Sequence, residues 1–409
     1  MNSKPSPVRK WLRNKMRTIA KIKKGDVTLT SVIRNKWQKL KRFVSLNRIE
    51  EVPLSCLLIG QQRGISIGKW VENTGEYSRV STLLIDSPYT DFLRQVDSDQ
   101  SILQDNDRLK NTPYYLMAEV CLQYTGNFMG KSMEQDILQW MREFYAFYTS
   151  LRSGTSYRSE VFLDDGHSGA EEPVQAFKIR DSEYYEIIDG HHRCAIACMS
   201  GRETIPVEIA GEMHSYLQSL IIKSTGSPGQ PMPQPVDAPE VKDWPVREDC
   251  RKWVAQKLRF LNDHSLPAPG DTYLEIPCSY GYSLRFFKQQ GLRVFGVDPD
   301  KNGLQIAKSV HGIEEDECRR ENTLAYLDGP AGKFSIVSFN SVIAPADEST
   351  PVLLKKLDGI TERVLFLRYD VPATAGRDAW EEKIRNLIRE QTAFRKTIFL
   401  KNGIIACAR

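Results

Sequence analysis

Residues 274–300 read "LEIPCSYGYSLRFFKQQGLRVFGVDPD". An apolar run ends in a turn of small residues. An amphipathic segment follows, closes at Gly291, and leads into a second apolar run that ends at Asp298. Two strands joined through a helix lie parallel in one sheet, because the helix must carry the chain back before the second strand starts. The alternation continues through "NGLQIAKSVHG", "FSIVSFNSVI" and "RVLFLRYD", and the end, "AFRKTIFLKNGIIACAR", reads as an antiparallel pair. Residues 247–409 therefore predict a Rossmann-like, doubly wound, mostly parallel sheet with an antiparallel edge. Ligands of such sheets sit at the carboxyl ends of the strands, where the strand order reverses. A small-residue turn lets backbone approach a ligand there, and an acidic residue ending the second strand can hold both hydroxyls of a ribose.

The order of these pieces resembles the class I S-adenosylmethionine-dependent methyltransferases, with "KFSIVSFNSVIAPA" similar to their strand-four segment. The resemblance implies S-adenosylmethionine as cofactor. Glu275, Ser279 and Gly281 would line its methionine and ribose side, Asp298 would bind the ribose hydroxyls, and Asn340 and Ser341 would flank the substrate mouth. Pro277 stands where that family has glycine and removes one N–H donor from the loop. A domain that serves only as scaffold is the alternative. Methyl transfer needs alignment more than acid–base power, and His311 is a candidate base by residue type alone.

A second stretch, "EIIDGHHRCAIA" at 186–197, places Asp189, Gly190, His191, His192 and Arg193 between a strand and a short helix, "CAIACMSG". Metal, phosphate and a plain strand–helix turn all remain open. Adjacent histidines point apart on a regular element, whereas zinc ligand pairs are usually spaced. Backbone N–H groups at a helix start, with imidazole and guanidinium donors beside them, match a phosphate.

"YYEIIDGHHRCAIACMSGRETIPVEI", with the opening strand "VPLSCLLIG", resembles the ParB/sulfiredoxin-like fold, and its DGHHR form resembles the kinase branch. That resemblance implies an α+β domain with a helical insertion at 88–153. His191, His192 and Arg193, with Gly190, would hold the phosphates of ATP or CTP with Mg²⁺, and Asp189 would act as base or position the acceptor. The sulfiredoxin cysteine is replaced by His191, and the first glutamate after the opening strand is Glu72. The aromatic-rich segment "MEQDILQWMREFYAFYTSLRSG" reads as a buried helix face.

The flanking segments complete the organisation: a basic leader over 1–45, the nucleotide-binding domain over 46–223, a Pro-rich linker over 224–246, and the second domain over 247–409. The linker, "STGSPGQPMPQPVDAPEVKDWP", is expected to be extended and to form no core. Residues 1–42 hold fourteen Lys or Arg against one acid, a net of +13, so with +4 for the whole chain the remainder carries −9. Apolar residues recur in the leader at helical spacing, which fits docking on an anionic membrane surface or packing against protein. The acidic remainder argues against a broad nucleic-acid face. Eight scattered cysteines without a CxxC pair point to a reducing cytoplasm.

The combined expectation is a transferase: phosphotransfer to a hydroxyl of a small-molecule or glycan acceptor, such as a lipid-linked glycan of the lipopolysaccharide kind, plus methylation. It would be peripheral on the inner membrane face. The alternatives are a nucleotide switch that binds DNA or a partner, and a methyltransferase whose first domain selects substrate. Oligomeric state is not legible.

Overall fold

The computed structural model describes residues 48–59, 81–126, 128–153, 174–247, 249–268, 270–329 and 332–409. The basic leader predicted over 1–45, and Glu72, lie outside them.

The first half runs β1 (Arg48–Pro53), β2 (Leu57–Leu58), α1 (Pro88–Ser98), α2 (Asn106–Lys110), α3 (Pro113–Thr125), α4 (Glu134–Arg152), β3 (Val174–Ile179), β4 (Tyr185–Asp189), α5 (His191–Met199) and β5 (Thr204–Met213). The strand order is β1-β5-β3-β4-β2. The predicted hairpin is β3 antiparallel to β4, and its turn puts Asp181 in the left-handed region at φ 54°. Ser87 and Thr112 accept N-terminal hydrogen bonds on α1 and α3, each followed by proline at the first helical position. Phe92 of α1, Tyr114 of α3, and Trp140 and Phe144 of α4 join Ala176 and Ile187 of the sheet in one buried cluster. The aromatic segment is thus a core face, as its spacing predicts.

The second half runs α6 (Tyr216–Thr225), α7 (Asp249–Asp263), β6 (Thr272–Ile276), α8 (Tyr282–Gln289), β7 (Arg293–Asp298), α9 (Lys301–His311), β8 (Cys318–Arg320), α10 (Thr323–Asp328), β9 (Phe334–Ile343), α11 (Thr350–Ile360), β10 (Thr361–Tyr369), α12 (Arg377–Gln391), β11 (Lys396–Leu400) and β12 (Ile404–Ala408). The seven strands are ordered β11-β12-β10-β9-β6-β7-β8. From β8 to β10 all pairs are parallel, and β12 runs antiparallel between β10 and β11. The chain leaves central β6 towards β7 and β8, then returns to β9 on its other side. The reversal of order lies between β6 and β9. This is the Rossmann-like sheet with an antiparallel edge that the sequence predicts.

Side chains alternate along a strand. In β6, Leu274 and Ile276 enter the core shared with α11 and α12, while Tyr273 enters the one shared with α7 and α8. Glu275 has the parity of Tyr273 and so faces the helical layer that contains α7.

The Pro-rich segment departs from expectation. Met232, Val236, Ala238 and Val241 are buried with Leu217, Leu220 and Ile221 of α6 against Tyr280 and Ile306 of the second half. Modest apolar residues spaced among prolines suffice, because an extended chain can lay every second or third side chain onto an existing surface. The segment is a strap, fastened by Arg285 to Asp237 (2.7 Å) and by His311 Nε2 on the Pro235 carbonyl (3.2 Å). α6, read from sequence as the end of the first domain, shares this core.

At the strap's far end, Glu240 is buried and its Oε1 accepts hydrogen bonds from Ser215 and Ser81. Gln218 Nε2 donates to the carbonyls of Glu240 and Arg180. Burial, and secondarily the charge of Glu240, pushes the Glu186 carboxyl on β4 up to about 7 from 4.5. A carboxyl raised in the folded state stabilises it fully below the unfolded pKa and loses that contribution as pH rises through the folded value. Stability should therefore fall between pH 4.5 and 7 by up to about 3 kcal/mol from this group. Glu186→Gln should flatten that limb, read from denaturant midpoints across the window. An unchanged slope would remove Glu186 as its source.

Candidate functional site

The turn after β6 carries Ser279 at φ 52° and Gly281 at φ 73°. A Cβ on Gly281 would lie 2.8 Å from Ala307 Cβ, so glycine is needed where α8 passes α9. Asp298, at the end of β7, accepts from Ser279 N through Oδ2 (2.7 Å) and from Asp300 N through Oδ1 (2.8 Å). Its carboxylate fastens the two strand–helix turns together. Burial pushes the Asp298 carboxyl up, and the two backbone donors oppose that. Gln234 of the strap accepts from Tyr282 N (2.9 Å) and so satisfies a donor at the start of α8.

These pieces frame a cavity of about 310 Å³ at the carboxyl ends of β6, β7 and β9, with Ser279, Asp298, Asn340, Lys257, Trp253 and Arg368 among its walls. Its position is the switch point that the strand order dictates, and its volume falls within the range of small-ligand sites, ~300–1,000 Å³. The strap's Pro233 and Gln234 close one side.

Beneath the cavity lies a buried polar cluster. Lys257 of α7 and Glu275 of β6 are 3% and 0% exposed in their side chains, with Nζ 3.9 Å from Oε1. Lys257 Nζ donates to Ser338 Oγ (2.6 Å) and Asn340 Oδ1 (3.0 Å). Asn340 Nδ2 donates to Glu275 Oε1 (2.7 Å) and to the Pro277 carbonyl (3.1 Å). Both amide protons of Asn340 are thereby used, and its oxygen accepts from Lys257 and from Ser338 (3.1 Å). Burial drives the Lys257 pKa down and the Glu275 pKa up; the charge of each opposes the shift of the other, and the hydrogen bond from Asn340 also opposes that of Glu275.

Glu275, Ser279, Asp298 and Asn340 thus come together around one cleft. Their roles shift: Asn340 is a bracket rather than a free substrate contact, and Glu275 lies wholly below the surface. Ser341 is exposed and outside the cavity wall, because the bulged end of β9 turns it outward. His311 is not a base for the cleft. It is buried under the strap, where desolvation first and Arg285 second lower its pKa to about 4.

Lys257, Trp253, Arg247 and Arg368 were not legible as site residues. One signal was present: Cys250, Val254, Lys257 and Leu261 recur at helical spacing and all are buried, so a lysine stands in the apolar stripe of α7.

In the first half, α5 begins at His191, earlier than the "CAIACMSG" segment predicts. Gly190 precedes it at φ 98°, and a Cβ there would lie 2.9 Å from Val174 Cγ2 and 3.0 Å from Arg193 Nη2. His192 turns into the core. Its Nε2 shares a 2.6 Å hydrogen bond with Tyr114 Oη, which also accepts from Trp140 Nε1 (2.9 Å). Its ring meets Phe144 edge-on at 4.7 Å, and His191 stacks on Tyr89 at 5.3 Å. The imidazoles therefore do not fit the phosphate-holding role expected of them: the second residue of a helix laid on this sheet points into the aromatic layer. Asp189 and Arg193 are half-buried, 3.6 Å apart. Among the described residues no group of three or more His, Cys, Asp or Glu could hold a metal ion, and no helix is long and apolar enough to cross a membrane.

The fold and cleft define a Rossmann-like, doubly wound α/β domain. No family model matches the chain, and no curated protein matches it. Among solved structures it is similar to monomeric WbdD, at 18% identity and TM-score 0.36 over 46% of this chain and 48% of that one. It is also similar to magnesium protoporphyrin IX methyltransferase (ChlM) from Synechocystis PCC 6803 with bound SAM, at 17% identity and TM-score 0.32 over 39% of this chain and 79% of that one. A third is the S-adenosylmethionine-dependent methyltransferase SibL in its apo form, at 14% identity and TM-score 0.30 over 39% and 55%. The chain spans about half the length of WbdD.

Proposed function

We propose that the second half is an S-adenosylmethionine-dependent methyltransferase. The observation that carries this reading is the cleft at the β6/β9 switch point, with Asp298 clamped between two turns and Ser279 beside it. A carboxylate oxygen that accepts one backbone hydrogen bond retains a second lone pair for a hydroxyl, so Asp298 can hold a ribose without releasing its turns. Bound S-adenosylmethionine would supply a methyl group already activated on sulfur. The chain's part is to fix orientation and exclude water, with Asp298 and Ser279 on the ribose side and the strap as one wall. Asp298→Asn should weaken S-adenosylhomocysteine binding about ten- to a hundredfold in titration calorimetry, a loss of about 1.4–2.8 kcal/mol. The thermal midpoint serves as the control for folding. Unchanged affinity would sink the assignment of Asp298.

The second reading is phosphotransfer from ATP or CTP with Mg²⁺ at the β4–α5 turn, to a hydroxyl of a small molecule or glycan. The Arg193 guanidinium over Gly190, next to Asp189, favours it. In this reading Arg193, not the imidazoles, meets the phosphates. Nucleotide binding that survives Arg193→Ala would exclude it.

A further inference from the structure

In the first half, α1, α3, α4 and α5 all pack on one face of the sheet, in a single core with Val52, Val174, Ala176, Ile187, Ile205 and Val207. Side chains alternate along a strand. Ile49 and Glu51 of β1, Pro206 and Glu208 of β5, and Gln175 and Phe177 of β3 therefore take the opposite face. The register sets them side by side: Ile49 pairs with Glu208 and Glu208 with Gln175, while Glu51 pairs with Pro206. Ile49 is 59% exposed, Glu51 and Pro206 are exposed, and Phe177 and Glu208 are half-buried. A sheet face turned only to water carries polar residues at its outward positions, whereas this one mixes apolar groups with two carboxylates. Glu208 accepts from Gln175 Nε2 (3.1 Å). The outward positions of β1, β3 and β5 hold no lysine or arginine to answer Glu51 and Glu208.

The complement of this face is in the same chain. Residues 1–42 carry a net of +13, against −9 for the remainder. Val8, Trp11, Leu12, Met16, Ile19 and Ile22 recur there at helical steps, with Lys and Arg between them. That segment leads into β1, an edge strand of the sheet, which itself carries Ile49 and Glu51. A helix is about 10 Å across, the width of three strands spaced about 4.8 Å apart. A segment tethered beside its surface meets it at an effective concentration of order mM, so contacts that are weak singly suffice.

We propose that residues 8–22 dock on the outward face of β1, β5 and β3. Their apolar positions cover Ile49, Phe177 and Pro206, and their Lys and Arg lie over Glu51 and Glu208. This surface is independent of both transferase readings. An anionic membrane is the competing occupant of the same segment.

The experiment follows removal of the leader from the full chain by an arginine-specific protease, with mass spectrometry as readout. Three proteins are compared: wild type, Glu51→Lys/Glu208→Lys, and Glu348→Lys/Glu390→Lys, which makes the same charge change at exposed positions of the second half. The protease does not cut after lysine, and thermal midpoints check that both variants fold. Docking protects the leader, so Glu51→Lys/Glu208→Lys should lose it about tenfold faster than wild type, while the control matches wild type. Wild type alone gives a second measure: added salt screens the exposed charges and should speed cleavage of its leader relative to an unattached peptide of residues 1–42. The released leader should also bind phosphatidylglycerol vesicles, so the Glu51/Glu208 variant should sediment with them more than wild type does. Equal cleavage in all three proteins, or a control as fast as the Glu51/Glu208 variant, overturns docking on this face. So does wild-type cleavage that ignores salt, or wild type that binds vesicles as tightly as the variant, which would give the segment to the membrane.

Discussion

Lys257→Met should destabilise the protein by about 3–5 kcal/mol, the cost of removing one partner of a buried ion pair. The substitution keeps the volume and apolar stem but strands the Glu275 carboxylate, which is 0% exposed and whose Oε2 makes no hydrogen bond among the described residues. It also removes a donor from Asn340 Oδ1 and from Ser338 Oγ. Adding Glu275→Gln removes the stranded charge, so the double variant should recover much of the loss, because replacing both members of a buried pair is often near neutral. Guanidinium denaturation of wild type, both single variants and the double variant gives the cycle. A single-variant cost below about 1 kcal/mol, or a double variant as unstable as the sum, would mean that the pair does not hold the floor of the cleft together.

His192→Ala should cost about 3–4 kcal/mol, close to a large-to-small change in an aromatic core. Four rings, those of Tyr89, Tyr114, Trp140 and Phe144, meet the imidazole edge-on at 4.7–5.8 Å, and Tyr114 Oη loses its 2.6 Å partner. Arg193→Ala, by contrast, should cost less than His192→Ala, since the Arg193 side chain is about a third exposed and fills no place in the aromatic core. Loss of nucleotide binding in His192→Ala would thus report unfolding, whereas the same loss in a stable Arg193→Ala would report contact. A stable His192→Ala that no longer binds nucleotide would overturn this assignment and return His192 to the phosphate.

The stretch 274–300 made the α/β architecture legible because a strand, a turn and a helix each leave a local pattern. It also brought Ser279 and Asp298 into register, since a residue that ends a strand must lie at the sheet's rim. What was not legible depends on distant contacts. Asn340 is turned inward by Lys257, 83 residues earlier in the chain. His192 is turned inward because α5 begins three residues before the helix that composition indicates. The strap misled for a related reason: proline content reports that a segment cannot be helix or central strand, and says nothing of what surface it lies on.

That strap sets where the chain can be divided. Gln234 touches the start of α8, and Glu240, six residues later, is bonded to Ser81 of the first half and Ser215 before α6. A protein truncated to 247–409 would keep every strand of the second sheet yet lose a wall of its cleft and the apolar cover over Tyr280 and Ile306. Proteolysis within 227–245 would open the cleft without cutting either sheet. The smallest fragment in which to seek cofactor binding therefore starts before Ser215, not after the prolines.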